Sequence, residues 1–352
     1  MKIGLVRRGF SGTGGAEAYL LRLAHGLVKA GQEPVLITSA EWPADRWPGG
    51  RIVRLPGQTP SQFAKAFAQG SFGVDLTFSL ERVPGCDVYR AGDGVHAAWL
   101  QRRSEFEPAW KRWFHRYNPK HFALMHLERQ LFQSAHAVIA NSHMVAGEIR
   151  HWHDYPSSQI HIVPNGIGPA LPRQDRGAAR QKLGLPPDAF CALFVGTGWE
   201  RKGLRFAIDA VKRLGHDALL VVAGRGPQGR YASPRARFMG PISDLSALFS
   251  AADVFILPTI YDPFSNACLE ALAAGLPVVT TSANGFSEIM TPGIHGHTVE
   301  PGDVSGLSAA LEFWRDPRDN TDAVCRQLAA HYTIERNVNE TLTVLNGVVA
   351  RR

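Results

Sequence analysis

"FCALFVGTGWERKGLRFAIDAVKRLGHDALLVVAG", residues 190–224, holds a strand, a glycine-rich turn, a helix and a second strand in succession. The apolar runs "FCALFV" and "ALLVVA" have strand length and each ends at glycine. Between them Leu204, Ala207, Ile208 and Val211 recur at helical spacing. The alternation continues through "LSALFSA", "DVFILP", "LEALAAG" and "PVVTT". It also occurs once before, in "KIGLV", "AEAYLLRLAHGLVKAG", "EPVLITS", "VDLTFSL" and "AHAVIANS". That order marks βαβ units and a parallel sheet. The predicted fold is α/β, with two separate doubly wound parallel sheets. The Pro- and Gly-rich stretch from Pro164 to Pro172, with the following "RQDRGAARQKLGLPPDA", reads as the linker. This sets domains at 1–165 and 166–330, and 331–352 is expected to form a helix that returns to the first lobe. Ligands of open parallel sheets lie beyond the carboxyl ends of the strands, so a central cleft faced by both lobes is the expected site.

A chain of 352 residues is long enough for two such cores. Its 45% apolar and 20% charged residues are globular values, and the 35 glycines and 23 prolines fall between periodic segments rather than in repeats. Cys86, Cys191, Cys268 and Cys325 lie far apart without a C-x-x-C pair, which signals neither a zinc knuckle nor a disulfide framework. A reducing, cytoplasmic location is expected. "MKIGLVRRGF" is too short an apolar run, broken by Arg7 and Arg8, for a secretory signal, and reads as a first strand. No run approaches the roughly 20 apolar residues of a membrane-spanning helix. The formal charge of +7 points to an anionic partner, whether nucleotide, nucleic acid, phosphorylated glycan or membrane surface, without choosing among them.

Residues 98–133 break the alternation. They mix Arg102, Arg103, Lys111, Arg112, Arg116, Lys120 and Arg129 with Trp99, Trp110, Trp113, Phe114 and Tyr117. Basic side chains interleaved with aromatics on helices suit an anionic bilayer surface. The alternative is an insertion that packs its aromatics on the N-lobe core with its charges in water.

Three segments place chemistry where a strand end meets a helix start. In "GFSGTGGAEAYLLRLA", Gly12, Gly14 and Gly15 allow close backbone approach, and the following helix start can face an anion. The stretch lacks the G-x-G-x-x-G of a dinucleotide site, although Glu41 stands near where a ribose-binding acid belongs. In "FVGTGWERKGL", Arg201 and Lys202 adjoin a helix start at the carboxyl end of a strand, an arrangement suited to a diphosphate. In "YDPFSNACLEALAAGLPVV", residues 261–279, a loop carries Asp262 and a helix begins near Ser265, a good N-cap residue. Glu270 is the only ionisable group of that helix. An acid among small apolar residues calls for a hydrogen-bond donor, and a ribose hydroxyl pair supplies one. An exposed Glu on an Ala-rich surface helix is the plainer alternative.

These segments, with "VVAGRGP", "FMGPISD" and "AVIANSHMVAGEI…IHIVPNGI", resemble the retaining, two-lobed GT-B glycosyltransferases of the GT4 family over nearly the whole chain. The resemblance implies two Rossmann-like domains and a nucleotide-sugar donor. Carried over residue by residue, it gives Asp262 the donor sugar, Glu270 the nucleotide ribose, and Arg201 and Lys202 the diphosphate. Asp262 stands where the family has Glu, and Gly168 where it often has Asp. A narrower resemblance, carried by "DVYRAGDGVHAAWLQRR", "YNPKHFALMHLERQLF" and "GWERKG", is to lipopolysaccharide core glucosyltransferases that add glucose to inner-core heptose. In such enzymes the basic, aromatic insertion is associated with the inner membrane.

The reading that follows is a retaining hexosyltransferase, taking glucose from UDP-glucose to a heptose or similar glycan acceptor. Its expected location is the cytoplasm, peripheral on the inner membrane. It needs no metal or other cofactor and no nucleic-acid partner. Asp93, Asp262, Arg201 and Lys202 are the catalytic candidates, Asp93 for acceptor binding or proton steering. Gly14, Gly15, Gly198, Arg225, Met239, Ile242, Pro263, Phe264, Ser265, Asn266 and Glu270 join them in donor binding, with backbone groups at Met239 and Ile242 against the base and Arg225 near phosphate. Metal ligation by "HWH" (151–153) or "HGH" (295–297) is not expected. Another nucleotide sugar with another acceptor, a nicotinamide oxidoreductase, and a non-catalytic glycan-binding protein are the competing readings.

Overall fold

The structure, a computed structural model, describes residues 1–9, 15–39, 42–43, 46–242, 244–316 and 318–352, with the backbone alone at 114–116. Gly12, Gly14 and Glu41, and the side chains of Phe114 and Arg116, lie outside the described residues. The chain divides into two compact units, 1–168 with 334–352, and 169–333. The boundaries expected at 165/166 and 330/331 thus fall at 168/169 and 333/334.

The first unit is a seven-stranded sheet of β1 (Lys2–Val6), β2 (Glu33–Thr38), β3 (Ile52–Arg54), β4 (Leu76–Ser79), β5 (Val88–Arg90), β6 (Ala137–Ala140) and β7 (Ile160–Ile162). All pairs are parallel, in the order 3-2-1-4-5-6-7. The chain first winds outward from β1 through β2 and β3, then restarts at β4 on the other side. The switch point therefore lies between β1 and β4, and the chain beyond their carboxyl ends bears Arg7 and Glu81. Helices α1 (Gly15–Lys29), α2 (Pro60–Ala68), α3 (His96–Glu105), α4 (Ala109–Arg116), α5 (Pro119–Ser134) and α6 (His143–His153) make the connections. The interval 98–133 accordingly lies in the crossover from β5 to β6 and is built of α3, α4 and α5.

The second unit is built the same way from β8 (Phe190–Val195), β9 (Ala218–Ala223), β10 (Ala236–Gly240), β11 (Val254–Leu257), β12 (Val278–Thr281) and β13 (Gly296–Val299), with α7 (Arg176–Leu183), α8 (Leu204–Arg213), α9 (Ser246–Ala251), α10 (Asn266–Ala273), α11 (Val304–Phe313) and α12 (Thr321–Ala329). Its parallel order is 10-9-8-11-12-13, so the switch point lies between β8 and β11. The stretch read as linker after Pro172 is in fact part of this unit. Asp175 caps α7 by accepting from the Ala178 amide at 2.8 Å. Arg180 is 1% exposed and donates to Asp253 at 2.8 Å and to the Ala251 carbonyl at 3.0 Å. A buried guanidinium satisfied in this way belongs to a core, not to a tether.

The last helix, α13 (Ile334–Val349), packs on the first unit. Val338 and Leu345 join Ile3, Leu5, Leu20 and Leu23 in its core. Gly26, in the last third of α1, permits this approach, because a Cβ there would lie 2.5 Å from Val338. A glycine inside a helix costs about 1 kcal/mol relative to alanine, and here the close helix contact offsets it.

Candidate active site

The second unit's switch point gathers the phosphate-binding candidates. After β8 the chain turns through Gly196 and Gly198 to Arg201 and Lys202, and Gly203 then starts α8 at φ 73°. Only glycine fits at 203, because a Cβ would meet the Pro258 carbonyl oxygen at 1.9 Å. The loop after β11 is tied to this turn. Ile260 N and Thr259 Oγ1 both donate to the Arg201 carbonyl at 2.9 Å, and Arg201 Nη1 donates to the Tyr261 carbonyl at 2.7 Å.

Asp262 lies in the loop between β11 and α10, as the sequence suggests, but not in water. It is 6% exposed, because its backbone continues the sheet edge: its amide donates to Ala283 O and its carbonyl accepts from Gly285 N, both at 2.9 Å. Its Oδ2 lies 3.0 Å from Lys202 Nζ and 3.5 Å from Arg201 Nη1. Burial alone pushes this carboxyl up, but Lys202, Arg201 and the Phe264 amide outweigh it and hold the group below the usual carboxylate range. The arrangement is one buried carboxylate under two cations. Lys202 keeps its remaining N–H donors, and Arg201 is about one-third exposed (35%).

Ser265 caps α10, its Oγ accepting from Cys268 N at 3.4 Å. The residue that fixes this turn is Asn284, which sequence reasoning missed. It is fully buried, its Oδ1 accepts from the amides of Ser265 and Phe286 at 3.2 Å each, and its Nδ2 donates to Thr280 Oγ1 at 3.0 Å. Asn266 and Glu270 lie half-buried on α10, so Glu270 is not stranded in the core. Pro263 and Phe264 are buried, and Phe264 packs edge-on against Phe286, which leaves them only backbone groups for a ligand. Burial pushes the Cys268 thiol up to about 12, so it is inert.

On the other side of β8, Met239 in β10 and Ile242 just after it are half-buried, and Arg225 is exposed past the end of β9. Between these positions and the Arg201 turn stands Trp199, a second residue missed from sequence. It is 2% exposed, donates from Nε1 to Gly196 O at 3.0 Å, and contacts the rings of Tyr231 and Phe238. A lone tryptophan between a glycine turn and charged residues gives no periodic signal; its packing partners come from two other segments.

In the first unit Gly15 opens α1, and Asp93 lies past β5 with about half of its side chain exposed (54%). Arg90, three residues before it, turns inward. Arg90 is 3% exposed, donates to Tyr19 Oη at 2.8 Å and to Asn165 Oδ1 at 2.5 Å, and lies over the Tyr19 ring. Arg7 and Arg82 take its place, with Nη1 atoms 3.8 and 3.9 Å from Asp93 Oδ2. Arg82 is anchored by Glu128, which is 1% exposed and accepts from Arg82 Nε at 2.8 Å. The same carboxylate accepts from the His96 amide at 3.0 and 3.1 Å. Burial pushes Glu128 up, but His153 and Arg82 more than reverse this and its pKa falls below the ordinary value. The His96 ring is held 3.0 Å from His121, and burial with nearby Arg82 brings its pKa down to about 4. The Asp93 turn is thus fastened by a glutamate from α5, within the insertion.

The histidine pairs are engaged elsewhere. His297 Nδ1 accepts from Trp314 Nε1 at 3.0 Å, His295 Nδ1 accepts from the Thr291 amide at 3.1 Å, and His153 stacks on Phe132. Among the described residues no group of three or more His, Cys, Asp or Glu side chains is placed to hold a metal ion.

Two glycosyltransferase families match the chain: Glycosyltransferase Family 4 over residues 13–171, and Glycosyl transferases group 1 over residues 189–314. The chain is a glycosyltransferase of the GT4 type. An uncharacterized glycosyltransferase of Methanocaldococcus jannaschii is 28% identical to it over 229 residues, 59% of each chain. The lipopolysaccharide glucosyltransferase WaaG of Escherichia coli K12 is 25% identical over 328 residues, 85% of each chain. A solved WaaG structure aligns with a TM-score of 0.75 over 94% of both chains at 22% identity. HepE of Anabaena, solved with UDP and glucose, aligns with 0.76 over 99% of this chain and 100% of that one at 18% identity. The GT-B glycosyltransferase is thus related to lipopolysaccharide core glucosyltransferases, and this replaces the oxidoreductase and non-catalytic readings.

Proposed function

We propose that this GT4 glycosyltransferase transfers glucose from UDP-glucose, with retention and without a metal, to a heptose or similar sugar of a lipopolysaccharide core. The observation that carries the reading is the pair Arg201–Lys202 gathered over buried Asp262 beside the capped start of α10. Cleavage of the bond from sugar C1 to the diphosphate leaves negative charge on the departing phosphate. The two cations, beside the capped start of α10, are preorganised to stabilise it. In front-face attack the acceptor oxygen bonds to C1 as the C1–phosphate oxygen bond breaks. The hydroxyl proton passes to the released phosphate oxygen, so UDP departs and no protein nucleophile is required. Glu270 takes the ribose hydroxyls, Asp262 the donor sugar, and Asp93 orients the acceptor hydroxyl. The choice of UDP-glucose is supported by the relationship to WaaG and by the ligands of HepE. Asp262, one methylene shorter than the Glu usual there, favours a second reading with the same reaction and a different nucleotide sugar.

Thermal shift with UDP-glucose, UDP-galactose, UDP-N-acetylglucosamine and GDP-mannose tests the donor, on the wild type and on Glu270→Ala. UDP-glucose stabilising the wild type more than Glu270→Ala is the expected result. No shift with any donor removes the assignment, and equal shifts in both proteins remove the ribose role. UDP released from UDP-glucose only when a heptose-containing acceptor is added distinguishes transfer from hydrolysis.

The reading includes docking of residues 98–133 on an anionic membrane surface. Trp110, Trp113 and Tyr117 are 62%, 61% and 61% exposed, which supports docking over packing of these three rings on the core. Lys111 lies over the Trp110 ring, and Arg112 and Lys120 are exposed nearby. Among the described residues no helix is long and apolar enough to cross a membrane. Sedimentation with phosphatidylglycerol vesicles is expected to weaken at high salt; binding that ignores salt excludes an electrostatic contact.

A further inference from the structure

A groove of about 360 Å³ runs between α3 and α6 in the first unit. From Ala98 and Met144 at one end to Glu105 and Trp152 at the other, it follows seven to eight residues of two helices, about 10 Å at 1.5 Å per residue. Both helices begin at the carboxyl edge of the sheet, and α3 starts three residues beyond Asp93. We propose that this groove is a second saccharide subsite, which seats the sugars of an oligosaccharide acceptor that lie beyond the one receiving the transferred hexose. The assignment rests on the glycosyl-transfer reading above.

Three features point to this occupant. Trp152 keeps 39% of its surface exposed at the groove's far end, a flat apolar face of the kind that covers the C–H face of a sugar ring. Beside it, Arg102 Nη2 and Glu148 Oε1 are held 3.3 Å apart, a fixed donor and acceptor along the wall, with Gln101 adding an amide. The charges are Arg102 against Glu105 and Glu148, so the groove carries no excess of positive charge. A neutral sugar suits it better than a phosphate or an anionic headgroup.

Gly147 supplies an independent argument. It sits in the middle of α6, where glycine costs about 1 kcal/mol relative to alanine. No packing demands it: the only atom within 4 Å of a Cβ placed there is Arg150 Nη2 at 3.9 Å. Unlike Gly26, which yields to a neighbouring helix, Gly147 faces the groove and leaves it open.

The test is calorimetric titration, with UDP present, of methyl L-glycero-α-D-manno-heptoside and of the lipid-free oligosaccharide from heptose-terminated lipopolysaccharide. The proteins are wild type, Trp152→Ala and Gly147→Gln. Wild type is expected to bind the oligosaccharide at least tenfold more tightly than the monosaccharide. Both variants are expected to lose that advantage while keeping the monosaccharide Kd. Gly147→Gln fills the groove with a better helix former, so loss of folding cannot account for its effect. An advantage that survives in both variants, or a wild type that binds the monosaccharide with no advantage for the longer sugar, overturns the groove alone. A wild type that binds UDP and neither sugar overturns the acceptor reading and the groove with it. If Trp152→Ala instead loses phosphatidylglycerol vesicles and keeps the oligosaccharide advantage, the groove belongs to lipid.

Discussion

Removing the negative charge of Glu128 is expected to loosen the acceptor side without touching the donor side. In Glu128→Gln the size and one acceptor oxygen remain, so Arg82 Nε keeps a partner, but the charge that balances Arg82 is gone. Loss of one partner of a buried ion pair costs about 3–5 kcal/mol. Asp93, 3.9 Å from Arg82, stays as a partial counter-charge, which places the cost at the low end, about 3 kcal/mol. That corresponds to an increase of roughly a hundredfold in local opening. Hydrogen exchange reads it directly: amides of α3 and α5 are expected to exchange about a hundredfold faster, with those of α8 and α10 unchanged. Transfer is expected to slow with UDP affinity intact, because Arg201, Lys202, Asp262 and Glu270 lie in the other unit. In a background of Arg82→Met the same substitution is expected to cost much less, since no buried cation is left unpaired. Wild-type protection of α3 and α5 in Glu128→Gln would refute the view that this carboxylate fastens the Asp93 turn.

Lys202→Met is expected to weaken UDP binding by about 10- to 100-fold, the loss of one charge-assisted contact of about 1.5–3 kcal/mol, as read by calorimetry. Asp262 titrates below its unfolded value, so its contribution to stability is complete above about pH 4 and lost as the pH falls further through its folded pKa. In Lys202→Met that loss moves to higher pH, which acid-unfolding curves can detect. His96, brought down to about 4, shifts the other side of the balance: the unfolded chain takes up its proton first, so stability falls between about pH 6.5 and pH 4 and is flat below. An NMR titration showing His96 protonated at pH 6 would contradict its burial beside Arg82. Gly203→Ala is expected to destabilise the second unit by more than about 1–3 kcal/mol, because it adds a clash with Pro258 O to the cost of φ 73°; a wild-type denaturant midpoint would exclude that.

Legibility in the sequence followed burial. Strands β1, β2, β4, β6, β8, β9, β11 and β12 were readable because they are buried almost throughout and their runs are largely apolar, with small Ser and Thr in β4 and β12. The outer strands β3, β7, β10 and β13 lack that signal, with most of their residues only partly buried. Strand β5 is buried, but at three residues it is too short to announce itself. At the candidate site, Arg201, Lys202, Asp262, Ser265 and Glu270 stood out because charge and a cap residue interrupt apolar patterns. Asn284, Trp199, Arg82 and Glu128 did not, since each acts on a segment 11 or more residues away or through a ring packed across strands.

Local pattern therefore determined the two parallel sheets, the turns that end at their carboxyl edges and the cations placed there. Those features depend on spacing within about 20 residues, where strand and helix periodicities are written directly into the chain. Only the tertiary structure decided which charges meet. It turned Arg90 inward to Tyr19, brought Arg7 and Arg82 to Asp93, and buried Asp262 beneath Lys202. Parallel strand order sets these pairings, by joining segments far apart in sequence, and the energy of burying a charge selects the partner that each must have.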